Sequence, residues 1–142
     1  MLAEARSCAD VIVTTGAILR AEPDLTWDLP VGATIAVMTR RALPDHPALR
    51  GYRVETINTS LREALVSLRP LGTVLIEAGP SACHDLYEAP VAVDELWISI
   101  VDGDLPVEAR APALIDEATL WERVPRPEFR RVGRWSFGRS VL

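Results

Sequence analysis

The sequence predicts an α/β fold with a mostly parallel sheet, covered by helices and finished by antiparallel strands. Two observations carry this. Over the first two-thirds of the chain, short apolar runs rich in β-branched residues alternate with stretches of helical periodicity, the pattern of a covered parallel sheet. Beyond Pro90 the pattern changes to strands separated by turns, which suits antiparallel pairing.

The elements follow in order. Leu2, Ala5, Cys8 and Ala9 have the spacing of about two helical turns. Asp10 to Thr14 reads as a strand through Val11-Ile12-Val13, ended by Gly16. Ala17 to Glu22 is a short connection or one helical turn, and Pro23 to Gly32 is a loop. Thr34 to Met38 is a second strand. Thr39 to Gly51, with Pro44 and Pro47, is a loop before a more polar strand, Tyr52 to Ile57. Asn58 to Arg69 is the clearest helix. Ser60 and Glu63 form a capping box, Leu61, Ala64, Leu65 and Leu68 share one face, and Pro70 and Gly72 stop it.

Thr73 to Ile76 is then a buried strand, broken at Gly79-Pro80. Pro80 opens a helix expected to reach Ala89. Strand, glycine turn and helix start would aim free N–H groups and a positive dipole end at one spot suited to phosphate. Glu77 lies at the carboxyl end of this strand, where open α/β sheets place ligands. Glu95 to Val101 is another strand, Asp102-Gly103-Asp104 a turn, and Ala118 to Val124 pairs with Phe129 to Trp135. Ser136 to Leu142 continues that strand or forms a last one.

Composition narrows the function classes. The 142 residues fit one domain. All 15 basic residues are arginine, and the net charge is −5, so the chain has no general attraction for nucleic acid or anionic membrane. Without lysine there is no Schiff base and no Walker A lysine. Cys8, Cys83, His46 and His84 lack metal-ligand spacing, so no metal site is expected. Reduced cysteines and the lack of a signal peptide or long apolar run point to the cytoplasm. No Gly-x-Ser-x-Gly marks a serine hydrolase, and His84 reads as a partly exposed helix residue.

Three stretches resemble one family. Ala9 to Gly16 with Glu22-Pro23-Asp24-Leu25-Thr26 is similar to a strand and acidic-Pro-x-Leu-Thr loop. Leu75 to Ser81 is similar to a Val-Glu-Gly-Gly-Pro-Thr cofactor turn, and Val93 to Ile98 to a Val-Asp-Glu-Leu strand. All three belong to the reductase domain of the bifunctional riboflavin-biosynthesis deaminase–reductases. The resemblance implies a dihydrofolate-reductase-like three-layer α/β/α fold and an NADPH-dependent reductase acting on a pyrimidine- or pterin-like ring.

It also implies site residues. Gly79, Pro80, Ser81 and Ala82 would form the cofactor turn. Thr39 and Arg40 would meet the adenosine end, where a hydroxyl and a guanidinium suit a ribose 2′-phosphate. Ala17 stands near a cofactor-contacting threonine of the family. Leu25, Asp28 and Glu77 would face the substrate, and Glu77 is the one candidate general acid, tunable by burial. The sequence also departs from the family. Ala78 replaces the first glycine of the Gly-Gly pair. Asp28 stands where the family places a phosphate-holding arginine, and a carboxylate there repels phosphate.

The chain starts after the family's opening strand and its Ser-x-Asp-Gly-like loop. That strand would lie between Val74–Ile76 and Glu95–Val101, so those two are expected to pair directly, because unpaired strand edges are costly. A homodimer using Trp135 and the Val141-Leu142 tail is expected with it. The alternatives to a reductase are a pseudoenzyme that keeps nucleotide binding and a pure assembly module.

Overall fold

The computed structural model describes residues 2–88, 90–101 and 117–142. Two units divide the chain, Met1–Ala82 and Cys83–Leu142.

The first unit is built on four parallel strands: β1 (Val11–Thr15), β2 (Thr34–Met38), β3 (Arg53–Ile57) and β4 (Val74–Ile76). Their order is β3-β2-β1-β4. Val11 stands opposite both Thr34 and Val74, so the strands are in register at their starts. Helix α1 (Leu2–Ser7) precedes β1, α2 (Gly16–Ala21) joins β1 to β2, and α3 (Leu61–Leu68) joins β3 to β4. These two crossovers run in opposite directions across the sheet. Right-handed connections therefore put α2 and α3 on opposite faces, the three-layer α/β/α arrangement.

The burial follows from that arrangement. Ile12, Ile35 and Val37 share one face and pack with Leu19 of α2 and with Trp27, Leu29 and Leu49 from the loops. Val11, Val13 and Ala36 alternate to the other face and are equally buried. The expected stripe Leu61, Ala64, Leu65 and Leu68 of α3 is buried, and the Ser60–Glu63 capping box forms. Gly72 is needed where it stands. Its φ of 125° is left-handed, and Asp10 fills the space a side chain would take, its carboxylate accepting from Thr73 N–H at 2.8 Å.

The second unit holds β5 (Glu95–Val101), α5 (Glu117–Arg123), β6 (Arg130–Val132) and β7 (Trp135–Val141). Its sheet is antiparallel, in the order β5-β7-β6. Three expectations are corrected here. Residues 118–123 are helical, not a strand. Leu120 and Val124 are four residues apart, Val124 N–H donates to the Leu120 carbonyl, and Arg123 reaches the Tyr87 carbonyl at 2.6 Å. The expected strand Phe129 to Trp135 contains a hairpin turn at Gly133 and Arg134, with Val132 opposite Trp135. Gly133, at φ 62°, supplies the left-handed residue such a tight turn needs.

The third correction concerns pairing. β4 ends the four-stranded sheet beside β1 and β5 ends the three-stranded sheet beside β7, so among the described residues the expected β4–β5 pairing is absent. β5 satisfies one edge through seven-against-seven antiparallel pairing with β7, and β4 satisfies one edge through three residues of β1. The helix expected from Pro80 to Ala89 is α4 (Pro80–Cys83) followed by a 3₁₀ turn, His84–Tyr87. Ala89 and the expected turn Asp102-Gly103-Asp104 lie outside the described residues. Among the described residues no helix is long and apolar enough to cross a membrane.

Candidate functional site

Parallel strands end on one edge of a sheet, so the residues after β1, β2 and β4 gather at the carboxyl edge of the first unit. Two groups of side chains stand there, an arginine-lined groove beyond β1 and β2 and a carboxylate beyond β4.

The groove is open and has a volume of about 640 Å³. Thr15, Ala17, Arg20 and Ala21 line it from the end of β1 and from α2; Met38, Thr39, Arg40 and Arg41 line it from the end of β2. Local sequence builds both walls. Thr15 ends β1 and caps α2, its hydroxyl accepting from Ile18 N–H at 3.2 Å. Thr39 closes a tight turn after β2. Its hydroxyl accepts from Arg41 N–H at 3.2 Å and donates to the Arg41 carbonyl at 3.1 Å. Gly16 lets the walls meet, because a Cβ there would stand 2.8 Å from Thr39 Oγ1 and 3.0 Å from Arg20 Nη1.

The groove's charge is one-sided. Among the described residues three guanidinium groups line it and no carboxylate does. None of the three is ion-paired to a described residue. An unpaired arginine cluster in a cleft attracts phosphate or carboxylate groups, which the guanidinium fork can hold in bidentate fashion.

Glu77 stands on the other side of β1. Its N–H continues the ladder to the Val13 carbonyl at 2.8 Å. Its carboxylate is held in two-pronged fashion by Arg6 of α1, Nε to Oε1 and Nη2 to Oε2, both at 2.6 Å. Trp27 Nε1–H adds a longer bond to Oε2 at 3.4 Å. Both side chains of the pair are about four-fifths buried. The bond to Glu77 is the main cause raising the Arg6 pKa above its ordinary value, against the opposing cost of burial.

The structure therefore brings Ala17, Thr39 and Arg40 into one groove. Gly79, Ser81 and Ala82 are not in its lining. Gly79 accepts from Ala82 N–H at 3.0 Å, and an added Cβ on Gly79 would meet nothing within 4 Å. Ala78 causes no left-handed strain, since no described non-glycine residue has a positive φ.

Leu25 is half-buried against the core cluster. Asp28 is exposed between the buried Trp27 and Leu29. Tyr52 braces that loop, its hydroxyl donating to the Trp27 carbonyl at 3.1 Å and accepting from Leu29 N–H at 3.4 Å.

Arg6, Arg20 and Trp27 were not legible as site residues. Arg20 carried a signal, since it follows Gly16 by one helical turn on the helix that leaves the strand. Arg6 carried none, because its partner is 71 residues away. The histidines serve structure. His46 is buried, accepts from Ala48 N–H on Nδ1 at 3.1 Å and donates from Nε2 to the Glu22 carbonyl at 2.9 Å. His84 is exposed beside Glu88. Among the described residues no acidic, histidine or cysteine cluster could hold a metal ion.

No family model matches the sequence, and no curated protein is similar to it. Solved structures are. A pyrimidine reductase-like protein from Corynebacterium diphtheriae matches 99% of this chain with a TM-score of 0.65 and 17% identity. The deaminase/5-amino-6-(5-phosphoribosylamino)uracil reductase of Thermotoga maritima matches 99% with a TM-score of 0.69 and 14% identity. This chain has a riboflavin-reductase-like fold. RibD from Acinetobacter baumannii matches it as well, with a TM-score of 0.62 and 14% identity. The chain spans 78% of the first structure, 47% of the second and 49% of the third. At these identities the likeness concerns the fold, which is the one the three sequence stretches resemble.

Proposed function

We propose that this chain is an NADPH-binding, reductase-like domain acting on a pyrimidine- or pterin-like ring. One observation carries the reading: Arg20, Arg40 and Arg41 line a single groove at the carboxyl edge of the parallel sheet, free of carboxylates, in a chain whose net charge is −5. That concentration of positive charge suits the phosphate-rich end of a dinucleotide, and a 2′-phosphate adds a group for the guanidinium forks. The cofactor would supply hydride. The protein's part is to bind and orient both reactants. Arg40 and Arg20 would hold phosphate, Thr39 would fix the turn that presents Arg40, Gly79 to Ala82 would approach the pyrophosphate, and Leu25, Asp28 and Glu77 would face the ring.

Calorimetric titration tests this. NADPH should bind, NADH should bind more weakly, and Arg40→Ala should reduce NADPH affinity more than NADH affinity. No binding of either nucleotide at millimolar concentration would remove the reading. The second reading, a nucleotide-binding pseudoenzyme, is favoured by the Arg6–Glu77 pair, which occupies the one candidate acid. It keeps the titration result and has no turnover. As partner we propose a second copy of the chain, meeting through the exposed Val132, Trp135, Val141 and Leu142. A monomer by light scattering at high concentration would exclude it.

A further inference from the structure

We infer that the Glu77 carboxylate is a receptor for a planar group with two parallel N–H donors, and that Arg6 occupies it here as an internal ligand carried on a displaceable α1.

The geometry of the pair comes first. Two donors of one planar group, Arg6 Nε and Nη2, meet the two oxygens of Glu77 at 2.6 Å each. An amidinium presents the same edge, and so does an aminopyrimidine with a ring N–H beside its exocyclic amine. Trp27 Nε1–H approaches the same carboxylate edge-on, so the seat has a third donor beside the guanidinium. A ring entering there would replace one planar donor edge by another.

The second observation is how α1 is held. It has six residues, none of them buried. A helix so short has little stability of its own and depends on tertiary contacts. The sheet anchors the chain just after it, where Asp10 and Val11 N–H both donate to the Thr73 carbonyl and Ala9 is buried. Among the described residues, the hydrogen bonds that tie α1 to the rest of the unit are those of Arg6 to Glu77. Breaking them detaches α1 from Glu77 without exposing a core side chain.

Arg6 and a donor-pair ligand are then mutually exclusive on Glu77, and linkage makes the effect reciprocal. A ligand releases α1, and removal of Arg6 raises ligand affinity. This rests on the reading above only for the ring class; nucleotide binding in the arginine groove is a separate measurement, so either can fail alone.

The test uses the whole chain with benzamidine as probe and benzamide, which lacks the charged donor pair, as control. Arg6→Ala should bind benzamidine about tenfold more tightly than the unmodified protein, Arg6→Lys should fall between them, and Glu77→Gln in the Arg6→Ala background should lose the binding. Saturating benzamidine should speed amide exchange in Leu2–Ser7 of the unmodified protein and leave β1 and β2 protected. Equal affinities with and without Arg6, or affinity that survives Glu77→Gln, would overturn the inference. So would unchanged exchange in α1 with the probe bound. If Arg6→Ala fails to fold, the exchange measurement on the unmodified protein decides alone.

Discussion

The two sheets of this molecule bury their side chains differently. In the parallel sheet, Val11, Ile12, Val13, Ile35 and Val37 have no solvent exposure, and successive residues are buried whichever way they point. In the antiparallel sheet, one face of β7 and its neighbours carries Trp97, Trp135, Phe137 and Val132, and Trp135 remains 44% exposed. Crossover helices cover both faces of the first sheet, whereas hairpins leave a face of the second open. Apolar strand residues are thus core in the parallel sheet, while Val132, Trp135 and Val141 of the antiparallel sheet stay exposed.

The largest predicted effect breaks this comparison directly. Ile12→Ala should cost about 2–5 kcal/mol by losing contacts on a fully buried face. Trp135→Ala, a larger truncation, should cost under about 1 kcal/mol in the monomer, because much of the ring faces water. Urea unfolding of both variants measures the difference. Equal losses would mean that the second sheet is covered too.

Gly16→Ala comes next. Its Cβ would press on Thr39 and Arg20, and the stiff Thr39 cannot easily retreat while its hydroxyl holds Arg41. A loss of about 1–3 kcal/mol is expected, with weaker NADPH binding. An equivalent change at Gly79, which faces open space, should be nearly silent in stability.

The two arginine–glutamate forks sharpen the contrast further. Arg139 also grips Glu95 with two bonds, at 2.6 and 2.7 Å, but its side chain is 60% exposed. Arg6→Gln should cost about 1–2 kcal/mol and Arg139→Gln no more than about 0.5 kcal/mol, since water screens the second pair. Raising salt should shrink the second effect more than the first.

The last contrast is a pH dependence confined to the second unit. Burial, helped by Asp85, pushes the Cys83 thiol up to about 11, and burial pushes Tyr87 up to about 12. Both groups are held protonated in the folded state. The unfolded chain releases the Cys83 proton near pH 9, so this contribution is complete below pH 9 and is lost as pH rises towards 11. The urea midpoint should fall over that range, and Cys83→Ala should flatten the fall. A midpoint independent of pH from 9 to 11 would contradict the burial of the thiol.

Much of the first unit was legible because its determinants are local. Val11-Ile12-Val13 and Thr34 to Met38 state buried strands by composition, and Ser60 with Glu63 states a helix start by two bonds across three residues. Thr39, Arg40 and Ala17 were named through the family resemblance, and the structure lines one groove with them because parallel strands bring their carboxyl ends to one edge. The second unit was read less well for the same reason. The residues from Glu117 to Arg123 carry both strand and helix signals, and the contact of Arg123 with the Tyr87 carbonyl favours the helix. The hairpin at Gly133 lay inside an expected strand because Val132 and Trp135 suit either side of a turn.

By itself, then, the sequence determined the parallel α/β core and the capped helix, since each depends on residues close in the chain. Tertiary structure alone decided which strands pair and what Glu77 touches. Sheet partners are chosen by how many backbone groups each arrangement satisfies, and that sum is taken over the whole chain. Arg6 reaches Glu77 across 71 residues because folding sets α1 over the end of β4, and no periodicity or motif in either segment encodes that meeting.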